Sequence, residues 1–285
     1  LYLSHFATHS ILNGRPDIVA RYRKKHAPGP STREKCYLCE DSGHEGDALN
    51  HWAGDHNPHL AAMLESIDTG VGMIRQALQK HGLAENTIIV FTSDNGGMLN
   101  VTGQKAWRAG HRLNGKLLGF KFGAWEGGHR VPFIARWPAK VPAGKVSDVL
   151  VSQIDLLPTF AAIAGTELPK KAVVDGVSQL AVLHGEIKES QRELLVISPN
   201  SPRHLTIRKG DWVYLPDRDE GGFQGKQIGS HLLAGAAAQK LTQLVNSDAQ
   251  DGKVREDAPP AQLYNLKDDP YQATNRYKEH PEKVT

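Results

Sequence analysis

The chain has 285 residues, enough to bury a sizeable core in one large domain or two smaller ones. Its 39% hydrophobic and 23% charged residues are typical of soluble globular proteins, and no apolar run approaches the roughly 18 residues that span a bilayer. The formal charge of +3 is spread along the chain, without the basic cluster of a nucleic-acid-binding surface. The composition therefore argues against a membrane span and against a nucleic-acid partner.

The first nine residues predict a strand that ends in a loop carrying His5 and His9. The apolar start, Leu1-Tyr2-Leu3, indicates a buried strand already in progress, and it shows no initiator Met, basic region or signal-peptide pattern. A chain seldom begins in mid-strand, so we expect an upstream portion to be missing, and any export signal with it.

Two helices and a strand are predicted next. Residues 16–26 have Pro in the first turn and cations in the last, which favours a short helix. Residues 58–81 begin after a capping Asn57 and carry an apolar stripe at steps of three and four, formed by Met63, Ile67, Val71, Ile74 and Leu78. The β-branched run at 87–92 predicts a strand buried on both faces, as in a parallel sheet between helices.

The rest of the chain predicts further α/β structure and then a change of pattern. Residues 97–130 are Gly-rich without a clear period and predict a long loop. Later segments predict strands at 132–137 and 194–198 and a helix at 153–164. Residues 205–215 predict a β-hairpin. We therefore predict an α/β domain over 1–198, with a mostly parallel sheet flanked by helices, and a smaller C-terminal α+β part over 199–285.

A polar insertion interrupts the first part at residues 27–57. It holds both cysteines of the chain, Cys36 and Cys39, in a Cys-x-x-Cys spacing. They form either a local disulfide or two free thiols, or they join nearby histidines in a structural metal site. The histidine spacing fits no standard zinc finger.

Asp94 and Asn95 come one residue after the predicted strand at 87–92, following Ser93, and precede two glycines. Ligands of open α/β sheets bind outside the carboxyl ends of the strands. A carboxylate beside an amide offers hard oxygen ligands, which suit Ca²⁺ or Mg²⁺. The alternative is an Asx turn without a ligand, which the same residues would also satisfy.

Lys121 lies in a second Gly-rich segment, 119–132, together with Glu126 and Arg130. A lysine in such a loop can contact an anionic oxyester as a mobile point charge. Glu126 and Arg130 are spaced to pair or to fix the loop. The alternative is a solvated lysine on a flexible loop.

His9 lies at the end of the first predicted strand. A histidine there can donate a proton to a leaving oxygen, because its pKa lies near neutrality. The alternative is a structural histidine at the end of a strand.

These three signals occur in the order in which one known family has them. Residues 1–9 resemble the strand of formylglycine-dependent sulfatases that ends in a catalytic histidine, and 92–97 match their metal motif. Residues 121–132 match their lysine followed by Glu-Gly-Gly-x-Arg-x-Pro. The resemblance covers nearly the whole chain, with further matches at 62–72, 152–159, 175–178 and 263–270.

The resemblance implies a sulfuric ester hydrolase with an alkaline-phosphatase-like α/β fold, a bound calcium ion (or magnesium) and a formylglycine nucleophile. By the match, Asp94 and Asn95 are two ligands of the metal. Lys121 contacts a sulfate oxygen and the leaving oxygen, and His9 is a general acid or a contact to the leaving group.

The chain departs from the family pattern at the nucleophile. Formylglycine is made from the first residue of Cys/Ser-x-Pro-x-Arg, and the segment 36–39 has neither Pro nor Arg where the motif needs them. The family's N-terminal strand with paired metal-binding aspartates is absent too. We therefore expect this polypeptide alone to turn over no sulfate ester and to bind calcium weakly or not at all.

The substrate is expected to be a sulfated carbohydrate or an aryl sulfate ester, by family analogy. The polar segment 98–118 either lines a sugar subsite or is a solvated loop. In the first case Trp107 would stack on a sugar, and His111 and Arg112 would bind neighbouring anionic groups. The same analogy predicts a periplasmic or secreted protein.

Other functions stay open. A phosphoester or phosphonate hydrolase of the same superfamily often carries two transition metals with more Asp and His ligands, whereas Asp94–Asn95 favours one hard ion. A non-catalytic sulfatase-like protein that binds sulfated glycans is compatible with the same residues. A metal-binding module built on Cys36 and Cys39 is the third alternative.

Overall fold

The computed structural model of the protein describes residues 1–9, 13–25, 58–108, 111–169, 171–172, 175–222 and 232–284. Its helices are α1 (Pro16–Lys25), α2 (Pro58–Lys80), α3 (Val101–Arg108), α4 (Glu126–His129), α5 (Leu156–Ala164), α6 (Leu180–Leu183) and α7 (Gly235–Thr242). Its strands are β1 (Ile89–Thr92), β2 (Phe133–Arg136), β3 (Leu195–Ile197), β4 (Thr206–Lys209), β5 (Trp212–Leu215), β6 (Ala249–Gln250), β7 (Lys253–Val254) and β8 (Gln262–Asn265). Three short 3₁₀ turns cover Gln153–Asp155, Pro202–His204 and Pro281–Lys283.

The helices predicted at 16–26 and 58–81 are confirmed as α1 and α2. They pack against each other through Ile18, Val19 and Ala62, which are all buried. An amphipathic helix buries one face, and the apolar stripe predicted on α2 lies on such a face. Its members are buried or half-buried along the helix: Met63, Ile67, Val71, Ile74 and Leu78.

The strand predicted at the start of the chain was wrong. Residues 1–6 form no regular structure, and the side chains of Leu1, Tyr2 and Phe6 are exposed. An extended segment becomes a strand only when a neighbour pairs with its backbone, and no strand of the described residues does so here. The predicted loop is present, because the amide of His9 donates a hydrogen bond to the carbonyl of Phe6 at 2.7 Å.

β1 and β2 form a two-stranded antiparallel sheet in which Ile89 faces Arg136 and Phe91 faces Ile134. The strands lie where the sequence placed them, but the predicted burial on both faces was wrong. Phe91 is 38% exposed and Ile134 is 61% exposed. Every strand pair among the described residues is antiparallel, so the parallel pairing that we predicted is not found in them.

The segment 97–130 is not the continuous loop that its glycine content predicted. It contains α3 and, at its end, the single turn of α4. The helix predicted at 153–164 is confirmed as a 3₁₀ turn that continues into α5. Gly165 ends α5 with φ of 63°, a left-handed conformation that favours glycine.

The C-terminal part is built on an antiparallel sheet of order β3-β4-β5-β8, which includes the predicted hairpin as β4 and β5. The division at residue 198 stays a prediction, and β3 pairs across it with β4. A buried apolar cluster lies between this sheet and the Gly-rich segment, formed by Leu118, Ala124, Trp125, Val213, Leu215, Tyr264 and Leu266. A Val or Leu side chain of this cluster stabilises the fold by about 1.5–3 kcal/mol when it is fully buried.

Within the described ranges, no helix is long and apolar enough to cross a membrane. The insertion at 27–57, with Cys36 and Cys39, lies outside the described residues, so its predicted disulfide or metal site stays a prediction.

Candidate functional site

Asp94 and Asn95 lie just beyond the carboxyl end of β1, separated from it by Ser93, as predicted. Asp94 is exposed, and its Oδ1 accepts a hydrogen bond from the amide of Asn95 at 3.1 Å. The Nδ2 of Asn95 donates to the carbonyl of Gly96 at 2.8 Å. These local bonds leave Oδ2 of Asp94 and Oδ1 of Asn95 as acceptors for a ligand.

The glycines after Asn95 bring a second segment into direct contact. The amide of Gly96 donates to the carbonyl of Gly128 at 3.0 Å. A Cβ atom on Gly96 would lie 2.9 Å from the carbonyl carbon of Gly127 and closer still to its oxygen. Only glycine allows this approach of two backbones.

Lys121 is hydrogen-bonded to the backbone that follows Asn95. Its amide donates to the carbonyl of Gly97 at 2.8 Å, so the metal motif and the lysine segment are hydrogen-bonded to each other. The side chain of Lys121 is half-buried, and its Nζ lies 5.4 Å from the centre of the Phe122 ring. The sequence predicted these two segments separately, and the structure joins them through their backbones.

The residues 119–123, which we call the lysine turn, close through a hydrogen bond from the amide of Gly123 to the carbonyl of Phe120 at 3.0 Å. Glu220 lies against this turn, and its Oε2 accepts from the amide of Phe120 at 3.3 Å. Burial, and then the neighbouring Asp219, raise the pKa of Glu220 to about 8. Sequence reasoning missed Glu220, because no local motif surrounds it.

Glu126 is a buried carboxylate, 1% exposed, at the start of α4. Its Oε2 lies 3.4 Å from Nη1 of Arg130, which confirms the predicted pair, and 3.9 Å from Nη1 of Arg208. The imidazole of His129 contacts the carbonyl of Ala124 at 3.1 Å, and burial lowers the pKa of His129. These contacts fix the segment that follows Lys121.

Buried amides of the C-terminal part also hold this segment. The indole of Trp125 donates to Oε1 of Gln262 at 2.9 Å, and the amide of Glu126 donates to Oε1 of Gln272 at 2.8 Å. Tyr264 donates to Oε1 of Gln262 as well, at 2.7 Å. Buried polar groups stabilise a fold only when they are paired, and these pair across the two parts of the chain.

His9 lies at an open cavity of about 370 Å³ that is also lined by Phe6, Asn13, Arg15 and Met63. Its side chain is exposed. Ala7 packs against Met63 of α2, which fixes the turn that carries His9 beside this helix. The role of His9 stays a prediction.

His111 and Arg112 follow α3. The Arg112 guanidinium lies 4.6 Å from the centre of the Trp107 ring, and its Nη1 donates to the carbonyl of Trp107 at 3.0 Å. Trp107 is only 5% exposed and packs edge-on against Phe120 at 6.1 Å. The predicted stacking of Trp107 on a sugar was therefore wrong, because its ring is already covered, whereas Arg112 is exposed.

The oxygens of Asp94 and Asn95 suit a hard cation, but two residues are few for calcium, which takes about six to eight oxygen ligands. In the part of the chain that the structure describes, no group of three or more His, Cys, Asp or Glu residues is arranged to hold a metal ion. The calcium site at Asp94 and Asn95 therefore stays a prediction.

Comparisons with known proteins identify the family. The family model described as Sulfatase matches residues 1–166. An N-acetylgalactosamine-6-O-sulfatase of Bacteroides thetaiotaomicron is 34% identical over 223 residues, 76% of this chain and 38% of the relative. A steryl-sulfatase of Mus musculus is 38% identical over 155 residues, 54% of this chain and 24% of the relative.

A solved Bacteroides thetaiotaomicron structure, described under the metabolism of multiple glycosaminoglycans, is 33% identical with a TM-score of 0.62. The match covers 79% of this chain and 42% of that one. The chain belongs to the sulfatase family and has its alkaline-phosphatase-like α/β fold. It spans only 24% and 38% of the length of the two relatives.

Proposed function

We propose that this chain supplies part of the active site of a sulfuric ester hydrolase. The observation that carries the proposal is the hydrogen bond from Lys121 to Gly97, which places a lysine-bearing turn beside Asp94 and Asn95 in a chain of the sulfatase family. A cation next to hard oxygen ligands suits a tetrahedral oxyanion such as a sulfate ester.

Each residue has a definite role in the proposal. Lys121 holds a sulfate oxygen and stabilises the negative charge that develops on the leaving oxygen, as a fixed point charge does in a water-poor site. Asp94 and Asn95 are ligands of a calcium ion, with magnesium as the alternative, and this ion supplies Lewis-acid charge to the sulfate when bound. His9 donates the proton that the alcohol product needs.

The nucleophile is not among the residues of this chain. No Cys/Ser-x-Pro-x-Arg motif occurs in its 285 residues, and neither Cys36 nor Cys39 has the required neighbours. The formylglycine of the proposal is therefore assigned to no residue here. A carbohydrate substrate is proposed by analogy to the N-acetylgalactosamine-6-O-sulfatase relative. Arg112, which is exposed, and His111, which is half-buried, are its proposed contacts. A periplasmic or secreted location is proposed on the same analogy.

The test uses the protein expressed from its complete gene. We expect it to hydrolyse an aryl sulfate and N-acetylgalactosamine 6-sulfate faster than the matching phosphate esters, and to lose this activity with a calcium chelator. Lys121→Ala should lower kcat/KM by about 10²–10³, the loss typical of removing one group that stabilises an oxyanion. Lys116→Ala, an exposed lysine five residues earlier, is the matched control and should leave turnover unchanged.

Two results would contradict the proposal. Preferential hydrolysis of the phosphate esters would support the phosphoester hydrolase instead. Binding of sulfated oligosaccharides without any turnover by the complete gene product would support the non-catalytic alternative.

A further inference from the structure

Glu220 lies inside the lysine turn, although the two are separated by about a hundred residues of sequence. Its Oε2 accepts from the amide of Phe120, and its Oε1 accepts from the amide of Gly235 at the start of α7. Its own carbonyl accepts from the amide of Ala124 at 2.8 Å. One residue therefore makes hydrogen bonds on both sides of Lys121.

The turn is shaped around this carboxyl group. A Cβ atom on Gly119 would lie 3.0 Å from Oε2 of Glu220, and one on Gly123 would lie 2.6 Å from its Cδ. Gly119 also has φ of 90°, which other residues rarely adopt. The two glycines thus leave the space that the buried Glu220 side chain, 1% exposed, occupies.

The amide of Lys121 itself donates to the carbonyl of Gly97. The backbone of the lysine turn is therefore hydrogen-bonded both to the metal motif and to Glu220. A change in how Glu220 fills the turn would move Lys121 relative to Asp94 and Asn95. Displacements of about 1 Å in a catalytic group can lower a rate by about a hundredfold.

We propose that Glu220 is a positioning residue for Lys121, through which the C-terminal part of the chain sets the place of the sulfate-binding cation. The inference rests on the proposed function for the role of Lys121, but the placement itself rests on the contacts of Glu220. The raised pKa of Glu220 is consistent with it, since a largely protonated carboxyl at neutral pH adds little negative charge beneath the lysine.

The first test is a double-mutant cycle on turnover of an aryl sulfate by the complete gene product, with Lys121→Ala, Glu220→Gln and both changes together. Gln keeps the shape of the side chain but places an amide NH₂ against one of the two backbone N–H groups. We expect Glu220→Gln to lower kcat about tenfold or more, with a smaller change in KM. In the Lys121→Ala background the same change should have no further effect.

Asp248→Asn is the matched control, because Asp248 is a buried carboxylate of the same C-terminal part. It bonds to Asn275 at 2.6 Å and to Ser247 at 3.3 Å, away from the lysine turn. If it lowers kcat as much as Glu220→Gln does, or if the effects of Glu220→Gln and Lys121→Ala simply add, Glu220 acts through general stability and the inference is overturned.

The second test needs no turnover. The rate at which acetic anhydride modifies Lys121 is measured by peptide mass spectrometry, with the exposed Lys116 as internal reference. We expect Glu220→Gln to change the ratio of the two rates at least threefold, and Asp248→Asn to leave it unchanged. An unchanged ratio overturns the inference. If the complete gene product hydrolyses no sulfate ester, the proposed function fails while this result still decides whether Glu220 places Lys121.

Discussion

Gly96 lies directly on Gly127, and this contact between two backbones joins the metal motif to the segment that carries Lys121. A side chain on Gly96 would displace the backbone of Gly127, and one on Gly127 would meet the carbonyl oxygens of Gly119 and Leu118. The consequences of this packing can be tested without any assumption about the reaction.

Gly96→Ala should therefore destabilise the protein. Its Cβ atom would overlap the carbonyl group of Gly127, and overpacking against backbone typically costs about 1–3 kcal/mol or more. Urea unfolding measures the difference. The control is Gly72→Ala in α2, where a Cβ atom meets nothing within 4 Å. A helix-interior alanine should stabilise by about 0.5–1 kcal/mol. Equal stability of wild type and Gly96→Ala would contradict the contact.

The buried pair of Arg192 and Asp155 gives a second prediction. Both side chains are almost fully buried, and Asp155 also accepts hydrogen bonds from the amides of Ser152 and Val177, each at 2.9 Å. Arg192→Ala would leave an uncompensated buried carboxylate. We expect a loss of about 3–5 kcal/mol in the free energy of unfolding.

The matched control for this prediction is Arg255→Ala. Arg255 pairs with Asp257 at 2.9 Å, but both side chains are substantially exposed. Exposed pairs contribute about 0–1 kcal/mol, so this variant should unfold almost as the wild type does. Similar losses in the two variants would show that the burial of the Asp155 pair has no energetic consequence.

The pKa of Glu220 predicts how stability depends on pH. Its value is 4.5 in an ordinary glutamate and about 8 here, because burial and then Asp219 favour the protonated form. The folded state therefore binds more protons than the unfolded state between these values. The stability from this group is fully present below pH 4.5 and is lost as pH rises through about 8, by at most about 1.4 kcal/mol per pH unit.

The useful window for this measurement is pH 6.5 to 8. The lowered pKa of His129 acts in the opposite direction, but only below its ordinary value of 6.5. The pKa of Asp219 is also raised, by burial, so the difference between wild type and Glu220→Gln isolates Glu220. We expect the variant to lose less stability across the window. Parallel curves would mean that Glu220 titrates normally in the folded protein.

How far the sequence predicted the site depends on the distance between contacting residues along the chain. Asp94, Asn95, Lys121 and the Glu126–Arg130 pair were predictable, because short motifs carry them and local spacing sets their contacts. The contacts of Glu220, Gln262 and Gln272 join positions 100 to 146 residues apart, with nothing local to mark them. Only the folded arrangement of the two parts could show them.

The fold was predictable in a similar measure. α2 follows from apolar periodicity, and Pro16, Pro58 and Gly165 mark where a helix starts or ends. The strand at 1–6 and the burial of β1 on both faces were predicted wrongly, because both depend on which partner a strand meets. Composition favours a strand without specifying that partner.

The last prediction concerns calcium and turnover by the 285-residue chain itself. It contains no Cys/Ser-x-Pro-x-Arg motif. Its described residues offer the oxygens of Asp94 and Asn95, whereas calcium takes about six to eight oxygen ligands. We expect no hydrolysis of an aryl sulfate above background, and calcium binding weaker than about 1 mM by calorimetry, the weak end of protein sites.

The comparison that decides this uses three proteins: the chain, the chain with Asp94→Ala, and the product of the complete gene. Asp94→Ala removes the only charged ligand of the predicted pair, so any calcium heat seen with the chain should disappear with it. The complete product should bind calcium at least tenfold more tightly and hydrolyse the ester. Robust turnover by the chain alone would show that a residue within it serves as nucleophile, and the assignment of the nucleophile would then be wrong.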